Sequence, residues 1–216
     1  IAGLCRRRTK TKVLFICDNI IPHERRLGDI LFTRYAFRFV HFFIVQSDAV
    51  KRDLKSFLPT AKYAKIPHPV YEIFGERLEK EEARRQLGAE DERMMLFFGY
   101  VRPYKGLHLL LEAMPFVLER VKTTLYVVGE FYGDESKYRD QIRKLGLESQ
   151  VRVVSEYVPN DRVALYFSSC DVVVLPYVSA TQSGIVQIAY QFDKPVIATD
   201  VGGLAEVVID GKTGFI

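Results

Sequence analysis

The sequence contains no tryptophan, only three cysteines and no apolar run that approaches the length of a membrane-spanning helix. A helix needs about 20 apolar residues to cross a bilayer, so we expect no transmembrane segment. Residues Arg6–Arg8 are basic and no apolar stretch follows them, which argues against a secretory signal. The cysteines (Cys5, Cys17 and Cys170) are too scattered for a disulfide framework or a metal site. Their scarcity is typical of reduced thiols in an intracellular protein.

The 216 residues are 48% apolar, which suffices for one large domain or two small ones with a sizeable core. The charge is unevenly distributed, because residues 1–75 carry a net charge of +8 and residues 76–216 carry −4. A basic segment suits an anionic partner such as a membrane surface, although solvated surface charge is the simpler explanation. No nucleic-acid-binding motif is present, so nucleic acid is not an expected partner.

Short, valine-rich apolar runs alternate with helical patterns along the chain. The predicted strands are 13–17, 42–45, 63–66, 94–98, 124–128, 151–154, 172–175 and 196–198. The predicted helices are 29–39, 48–57, a surface helix ending at Gly88, 107–120, 135–145, 161–168, 184–192 and a short helix from Gly203 through Val208. This alternation predicts an α/β protein with parallel sheets covered on both faces. No G-x-G-x-x-G motif follows the first strand, which argues against a standard NAD-binding unit.

The loops that follow five of these strands carry glycine and polar residues. Strand 94–98 is followed by a glycine-bounded loop with Arg102 and Lys105 before a helix, which favours anion binding. Strand 172–175 leads to a small, polar stretch and a helix from Gly184, whose free N–H groups favour phosphate. Each loop alone is compatible with an ordinary turn. Together they lie at the carboxyl edge of one parallel sheet, where ligands bind. The other three loops begin at Gly129, Ser155 and Thr199.

Taken in order, these segments resemble the donor-binding domain of GT-B glycosyltransferases, in particular the large retaining family of glycosyl transferases group 1. The resemblance is carried by Gly99 to Gly106, Asp171 to Pro176, Lys194 to Thr199, Gly202-Gly203 to Glu206, and Asp210 to Gly214. It implies two Rossmann-like domains. Residues 1–75 would be part of an N-terminal acceptor domain, 76–92 a linker with a surface helix, and 93–216 a donor domain truncated at its C-terminus. We therefore expect the chain to be a fragment of a longer protein.

The resemblance implies a retaining hexosyltransferase that moves a sugar from a nucleotide-sugar to a glycan or lipid-linked glycan. No metal or other cofactor is expected, and the fragment is expected to be inactive alone. Relatives at the cytoplasmic membrane face imply a cytoplasmic protein, peripheral at the inner membrane face. The implied catalytic residues are His23, Arg102 and Lys105, although a structural role for His23 is equally open. The implied donor-binding residues are Gly99, Arg102, Lys105, Gly129, Tyr157, Val158, Gln182, Ser183, Gly184 and Ile185.

The sequence departs from the family pattern at three positions. Tyr100 stands where the family has an arginine directly after the glycine, so the role of Arg102 is inferred from its reach and charge. Ala180 and Ile188 stand where the family has two glutamates, and neither side chain can accept a hydrogen bond. Gln182 and Gln187 are the nearby candidates to replace them. The alternative hypotheses are a catalytically decayed GT-B homologue that acts as a binding module, and a sugar-nucleotide epimerase of the same fold. His68, between two prolines, is assigned to the interdomain hinge.

Overall fold

The computed structural model describes residues 11–22, 27–90 and 93–216, which form two parallel sheets with helices packed on them. The strands are β1 Leu14–Cys17, β2 Phe42–Val45, β3 Tyr63–Lys65, β4 Met94–Phe98, β5 Thr124–Val128, β6 Val151–Val154, β7 Val172–Leu175, β8 Val196–Ala198 and β9 Gly214–Phe215. The helices are α1 Asp29–Phe37, α2 Asp48–Phe57, α3 Lys80–Leu87, α4 Leu107–Leu118, α5 Ser136–Lys144, α6 Asn160–Ser169 and α7 Gly184–Gln191. A 3-10 turn covers Pro103–Lys105.

The described residues up to 75 form a first unit around the parallel sheet β1-β2-β3. Its helix α2 begins after Ser47, whose hydroxyl oxygen accepts a hydrogen bond from the N–H of Val50. This cap satisfies one of the free N–H groups of the first helical turn. Val50 and Leu54 then pack against Phe43 and Val45 of the central strand. Strands β1 and β2 pair in parallel up to Cys17 and Val45, so their carboxyl ends lie side by side.

The remaining residues form a second unit around a sheet with the order β6-β5-β4-β7-β8-β9, in which every pair is parallel. Met94, Leu96 and Phe98 of β4 belong to one core cluster, and Met95 and Phe97 belong to another. Successive side chains of a strand point to opposite faces, so both faces of this sheet are covered. The chain moves outward from β4 to β6 and returns to β7 on the other side of β4. The carboxyl ends of β4 and β7 therefore form the topological switch point.

The predicted α/β organisation is confirmed, and six strands have the predicted bounds: β2, β4, β5, β6, β7 and β8. The predicted short helix through Val208 is wrong, because residues 202–208 form turns and bends. Gly202 has a φ of +57°, and a Cβ built on it would lie 1.5 Å from the carbonyl oxygen of Ala180. The path of this segment is thus set by packing against the loop before α7 and not by a helical pattern. Strand β9 was not predicted.

Helix length and composition also bear on membrane insertion. No helix in the described part of the chain is both long enough and apolar enough to cross a bilayer.

Candidate functional site

The loops that follow β4, β5 and β7 meet at the switch point of the second sheet. A Cβ built on Gly129 would lie 2.4 Å from the carbonyl oxygen of Gly99, so only glycine allows the first two loops to approach this closely. A Cβ built on Gly99 would lie 3.2 Å from Nζ of Lys105 and 3.5 Å from Cδ1 of Ile185. The structure therefore brings four of the predicted site residues together at the start of α7.

Lys105 presents a buried cation at this point. Only 9% of its surface is exposed, and its Nζ lies 5.7 Å from the centre of the Tyr177 ring. Among the described residues, the Lys105 ammonium makes no hydrogen bond or ion pair. Burial, and then the charge of Arg102, lower the pKa of Lys105 to about 8. A buried ammonium without a counter-ion is costly, so a bound anion would stabilise this arrangement.

Arg102 lies at the rim of the same loop. Its guanidinium stacks 4.0 Å from the centre of the Tyr132 ring. Tyr100, which occupies the position of the family arginine, is 47% exposed and contacts Tyr132 edge to face, with 6.5 Å between ring centres. Arg102 is close enough for its charge to lower the pKa of Lys105, so the two positive charges lie near each other. The predicted contact of Arg102 with a diphosphate stays a prediction.

The start of α7 is capped by its own sequence. The N–H of Ile185 donates to Oγ of Ser183 over 3.3 Å, and this hydroxyl lies 3.4 Å from the hydroxyl of Tyr177. A Cβ built on Gly184 would lie 3.2 Å from the hydroxyl of Tyr71. The N–H of Ile185, one of the groups predicted to bind phosphate, thus already has an acceptor in the Ser183 hydroxyl. An anion that binds this N–H would have to displace the hydroxyl.

A cavity of about 170 Å³ extends from this point along the ends of β4 and β5. It is largely apolar and is lined by four predicted donor-binding residues, of which Gly99 also lies next to the Lys105 ammonium. Tyr157 lines it and is exposed. A cavity with aromatic side chains in its lining, beside a buried cation, suits a planar ring attached to an anionic group. The cavity is lined by Phe74, Phe98, Gly99, Tyr100, Gly129, Glu130, Tyr157, Val158, Asn160 and Val163.

Gln182 is turned away from this cavity and toward the first unit. Its amide nitrogen donates to Oε1 of Gln46 over 2.7 Å and to Oδ1 of Asp18 over 3.3 Å. The neighbouring Thr181 donates its hydroxyl to the Asp18 carbonyl over 3.0 Å, and its own carbonyl accepts from Ser47 Oγ over 2.8 Å. Gln182 therefore joins the carboxyl ends of β1 and β2 to the loop before α7. The predicted contact of Gln182 with the donor stays a prediction.

Two of the three positions that depart from the family pattern, Ala180 and Ile188, are buried. Ala180 is 8% exposed and Ile188 is 5% exposed, and both belong to the core of the second unit. Gln187 is also buried. Ala180 and Thr181 border a second cavity, of about 330 Å³, which lies against α2 of the first unit and is also lined by Arg52.

Sequence reasoning did not identify two residues that lie at the start of α7. Tyr71 and His68 belong to the segment after β3, and each lies within 4 Å of the position of a Cβ on Gly184. The pattern Pro67-His68-Pro69 was the available signal, and it was assigned to the hinge. His23 lies outside the described residues.

The chain is similar in sequence to known proteins. The family Glycosyl transferases group 1 matches residues 79–216. An uncharacterised glycosyltransferase of Methanocaldococcus jannaschii is 36% identical over 132 residues, covering 60% of this chain and 33% of the relative. D-inositol 3-phosphate glycosyltransferase of Corynebacterium aurimucosum is 32% identical over 143 residues, covering 63% of this chain and 34% of the relative. The chain thus matches about a third of the length of these relatives.

Solved structures show the same fold at lower identity. HepE of Anabaena in complex with UDP-glucose has a TM-score of 0.84 and 20% identity, covering 99% of this chain and 60% of that structure. Sucrose-phosphate synthase of Thermosynechococcus elongatus has a TM-score of 0.81 and 21% identity, covering 99% and 56%. Because the family match extends over more than half of the sequence and the fold agrees with it, the chain belongs to the glycosyl transferases group 1 and has the two Rossmann-like parallel sheets of the GT-B fold.

Proposed function

We propose that this chain binds a nucleotide-sugar and forms the donor side of an enzyme that transfers a hexosyl group to a glycan or lipid-linked glycan with retention. One observation carries the proposal: Lys105 is a buried cation without a described anionic partner, at the start of a helix. A diphosphate supplies the missing negative charge. The solved complex of HepE with UDP-glucose supports this donor class.

The cavity beside Lys105 is proposed to hold the nucleoside. Its volume of about 170 Å³ and its aromatic side chains suit a base, and Gly99, Tyr157 and Val158 line it. Gly99 is shared by the cavity and by the contact with Lys105. A nucleotide placed in this way has its base among apolar side chains and its phosphates beside the ammonium.

The same arrangement would promote the reaction. When the glycosidic bond to the donor breaks, negative charge builds on the departing diphosphate. The charge of Lys105, the N-terminal dipole of α7 and the nearby Arg102 stabilise that charge more strongly than they stabilise the bound donor. In this proposal the cations and the helix start act without a metal ion. Turnover is proposed for the whole protein, since this chain matches only part of its relatives.

Binding is tested with a thermal-shift panel of UDP, GDP, ADP and their sugar conjugates on this chain. A ligand at 100 times its dissociation constant stabilises the folded state by about 2.7 kcal/mol, which gives a clear shift. We expect a shift with one nucleotide that is lost in Lys105→Ala. Lys122→Ala, a change at an exposed lysine, is the matched control. No shift with any nucleotide would contradict the proposal.

The absence of a carboxylate at Ala180 and Ile188 favours a second candidate, a homologue that binds a nucleotide-sugar without transferring the sugar. The two candidates differ in turnover and not in binding. Transfer by the whole protein to an acceptor, abolished by Lys105→Ala, would exclude the binding module. Tight nucleotide-sugar binding without transfer, and without release of an epimerised sugar nucleotide, would favour it.

An anionic membrane surface is proposed as a further partner, at the cytoplasmic face of the inner membrane. Leu31, Phe32 and Tyr35 of α1 are exposed beside Arg34 and Arg38, and basic residues next to apolar ones suit an anionic bilayer surface. We expect the chain to sediment with vesicles that contain anionic lipid, and Arg34→Gln with Arg38→Gln to reduce this. Equal sedimentation of the variant, or none of the wild type, would overturn this part of the proposal.

A further inference from the structure

The segment from His68 to Phe74 leaves the first unit and crosses the start of α7. Tyr71 and Phe74 pack against the core of the second unit, with 5.8 Å between their ring centres. Phe74 also lines the cavity that is proposed to hold the nucleoside. The segment therefore contributes one side chain to the cavity and places the neighbouring Tyr71 beside the helix start.

The hydroxyl of Tyr71 is the polar group of this segment that lies closest to α7. A Cβ built on Gly184 would be 3.2 Å from it, so it stands next to the first residue of the helix. Burial, and then the charge of Asp18, raise the pKa of Tyr71 above its usual value. The hydroxyl thus keeps its proton at neutral pH and can act as a donor.

His68 orients this hydroxyl. Its Nδ1 lies 3.2 Å from the carbonyl oxygen of Pro69, which can only accept, so this nitrogen carries a proton. In the neutral ring, Nε2 is then an acceptor, and it lies 3.0 Å from the Tyr71 hydroxyl. The contact holds the hydroxyl in place before a ligand arrives. Both rings also meet edge to face, with 5.1 Å between their centres.

We propose that Tyr71 donates its hydroxyl proton to a phosphate oxygen of the nucleotide-sugar at the start of α7, and that His68 is its positioning residue. The inference rests on the proposed function. A phosphate oxygen is a charged acceptor and forms a stronger hydrogen bond than a neutral imidazole nitrogen, so the hydroxyl turns to the phosphate when the donor binds. Lys105 reaches the same helical turn beside Ile185, so the diphosphate would be held by a cation and by a neutral donor.

Tyr71→Phe tests the proposal because it removes only the hydroxyl. The chain is titrated with the nucleoside diphosphate that the wild type binds, and with the corresponding nucleoside, which lacks the phosphates. We expect the variant to bind the diphosphate at least about 10-fold more weakly and the nucleoside equally well. Tyr63→Phe is the matched control, since Tyr63 lies in β3 with its ring under Lys55. We expect this control to bind both ligands as the wild type does.

The positioning role of His68 is tested in the same titrations. We expect His68→Ala to weaken diphosphate binding by a smaller factor than Tyr71→Phe, and His68→Gln, which can still accept from Tyr71, to restore part of it.

Unchanged diphosphate binding by Tyr71→Phe would overturn the inference. An equal loss for diphosphate and nucleoside would overturn it too, because it would indicate a structural role. A wild type that binds none of UDP, GDP and ADP would contradict the proposed function itself, and the inference with it.

Discussion

Lys65 of the first unit lies 2.9 Å from the carboxylate of Glu206 in the second unit. The same carboxylate accepts hydrogen bonds from the N–H groups of Asp48, over 2.7 Å, and Ala49, over 3.1 Å. Glu206 therefore caps α2 from across the boundary between the units. Hydrogen bonds from Lys65 to Asp48 and Glu206 raise the pKa of Lys65 above its usual value. Glu206 thus joins the two units, because its carboxylate contacts both Lys65 and the start of α2.

Removal of the Glu206 carboxylate should weaken this contact. We expect Glu206→Ala to lower the free energy of unfolding by about 0.5–2 kcal/mol, the usual cost of a lost helix cap. Urea unfolding measures the change. Glu82→Ala is the matched control, because Glu82 forms an exposed ion pair with Arg85 within α3. Such surface pairs contribute little, so a loss as large in the control would contradict the capping role.

The elements of the fold could be predicted from the sequence, but their contacts with distant residues could not. Valine-rich runs and the helix stop at Gly88 are local signals, and they placed most strands and helices correctly. The sequence predicts a short helix through Val208 after Gly202 and Gly203, since nothing local indicates that Glu206 has a partner more than a hundred residues earlier in the chain. In the structure, a Cβ on Gly203 would lie 2.8 Å from Cβ of Ser47.

Gly202 should not tolerate a side chain. A Cβ there would lie 1.5 Å from the carbonyl oxygen of Ala180, and the residue has a φ of +57°. We expect Gly202→Ala to lower the free energy of unfolding by about 2 kcal/mol more than Gly211→Ala. Gly211 has a similar φ of +71° but open space around it, so the control carries the backbone strain alone. Equal unfolding free energies for the two variants would show that the loop before α7 moves aside.

The candidate site could be predicted only in part for a similar reason. Gly99, Lys105 and Ile185 follow strands of one sheet, so the strand-end rule places them together. Tyr71 and His68 come from the first unit, and their approach to α7 depends on how the two units pack. The bond from Gln182 to Gln46 also joins the two units, and the strand-end rule does not predict it.

Asp171 should account for part of the acid sensitivity of the second unit. Burial alone would raise its pKa, but the bonds from Lys80 and from the N–H of Met94, with the charge of Arg84, hold the pKa below its usual value of 3.8. A lowered pKa means that the carboxylate stabilises the fold above pH 3.8 and that this contribution is lost as the pH falls. We expect Asp171→Asn to lower the free energy of unfolding at pH 7 by about 1.5–3 kcal/mol.

The measurement for Asp171 is urea unfolding at pH 7 and at successively lower pH. The difference between wild type and Asp171→Asn should shrink as the pH falls below 3.8. Asp140→Asn is the control, since Asp140 forms an exposed pair with Arg143 on α5. A difference for Asp171→Asn that is independent of pH would assign its effect to packing and not to charge.

The buried charge of Lys105 should lower the free energy of unfolding of the protein without a bound anion. Burial, followed by the charge of Arg102, lowers its pKa from 10.5 to about 8, so between these values the unfolded chain binds more protons than the folded chain. The free energy of unfolding should therefore rise with pH across this window. We expect Lys105→Met to be more stable than the wild type at pH 7, by an amount on the order of 1–3 kcal/mol, because the buried charge is gone. This gap should close as the pH approaches 10.5.

Nucleotide binding should change in the opposite direction in the same variant. The wild type should bind its nucleotide more weakly as the pH rises above about 8, because the ammonium that is proposed to face the phosphate loses its proton. Lys105→Met should bind weakly at every pH, and Lys122→Met should behave as the wild type.

Urea unfolding and nucleotide titration between pH 7 and 10 measure both effects. A Lys105→Met variant that is less stable at pH 7 and still binds nucleotide would show that the lysine fills space in the core. Higher stability with lost binding would instead assign the unpaired charge to the ligand.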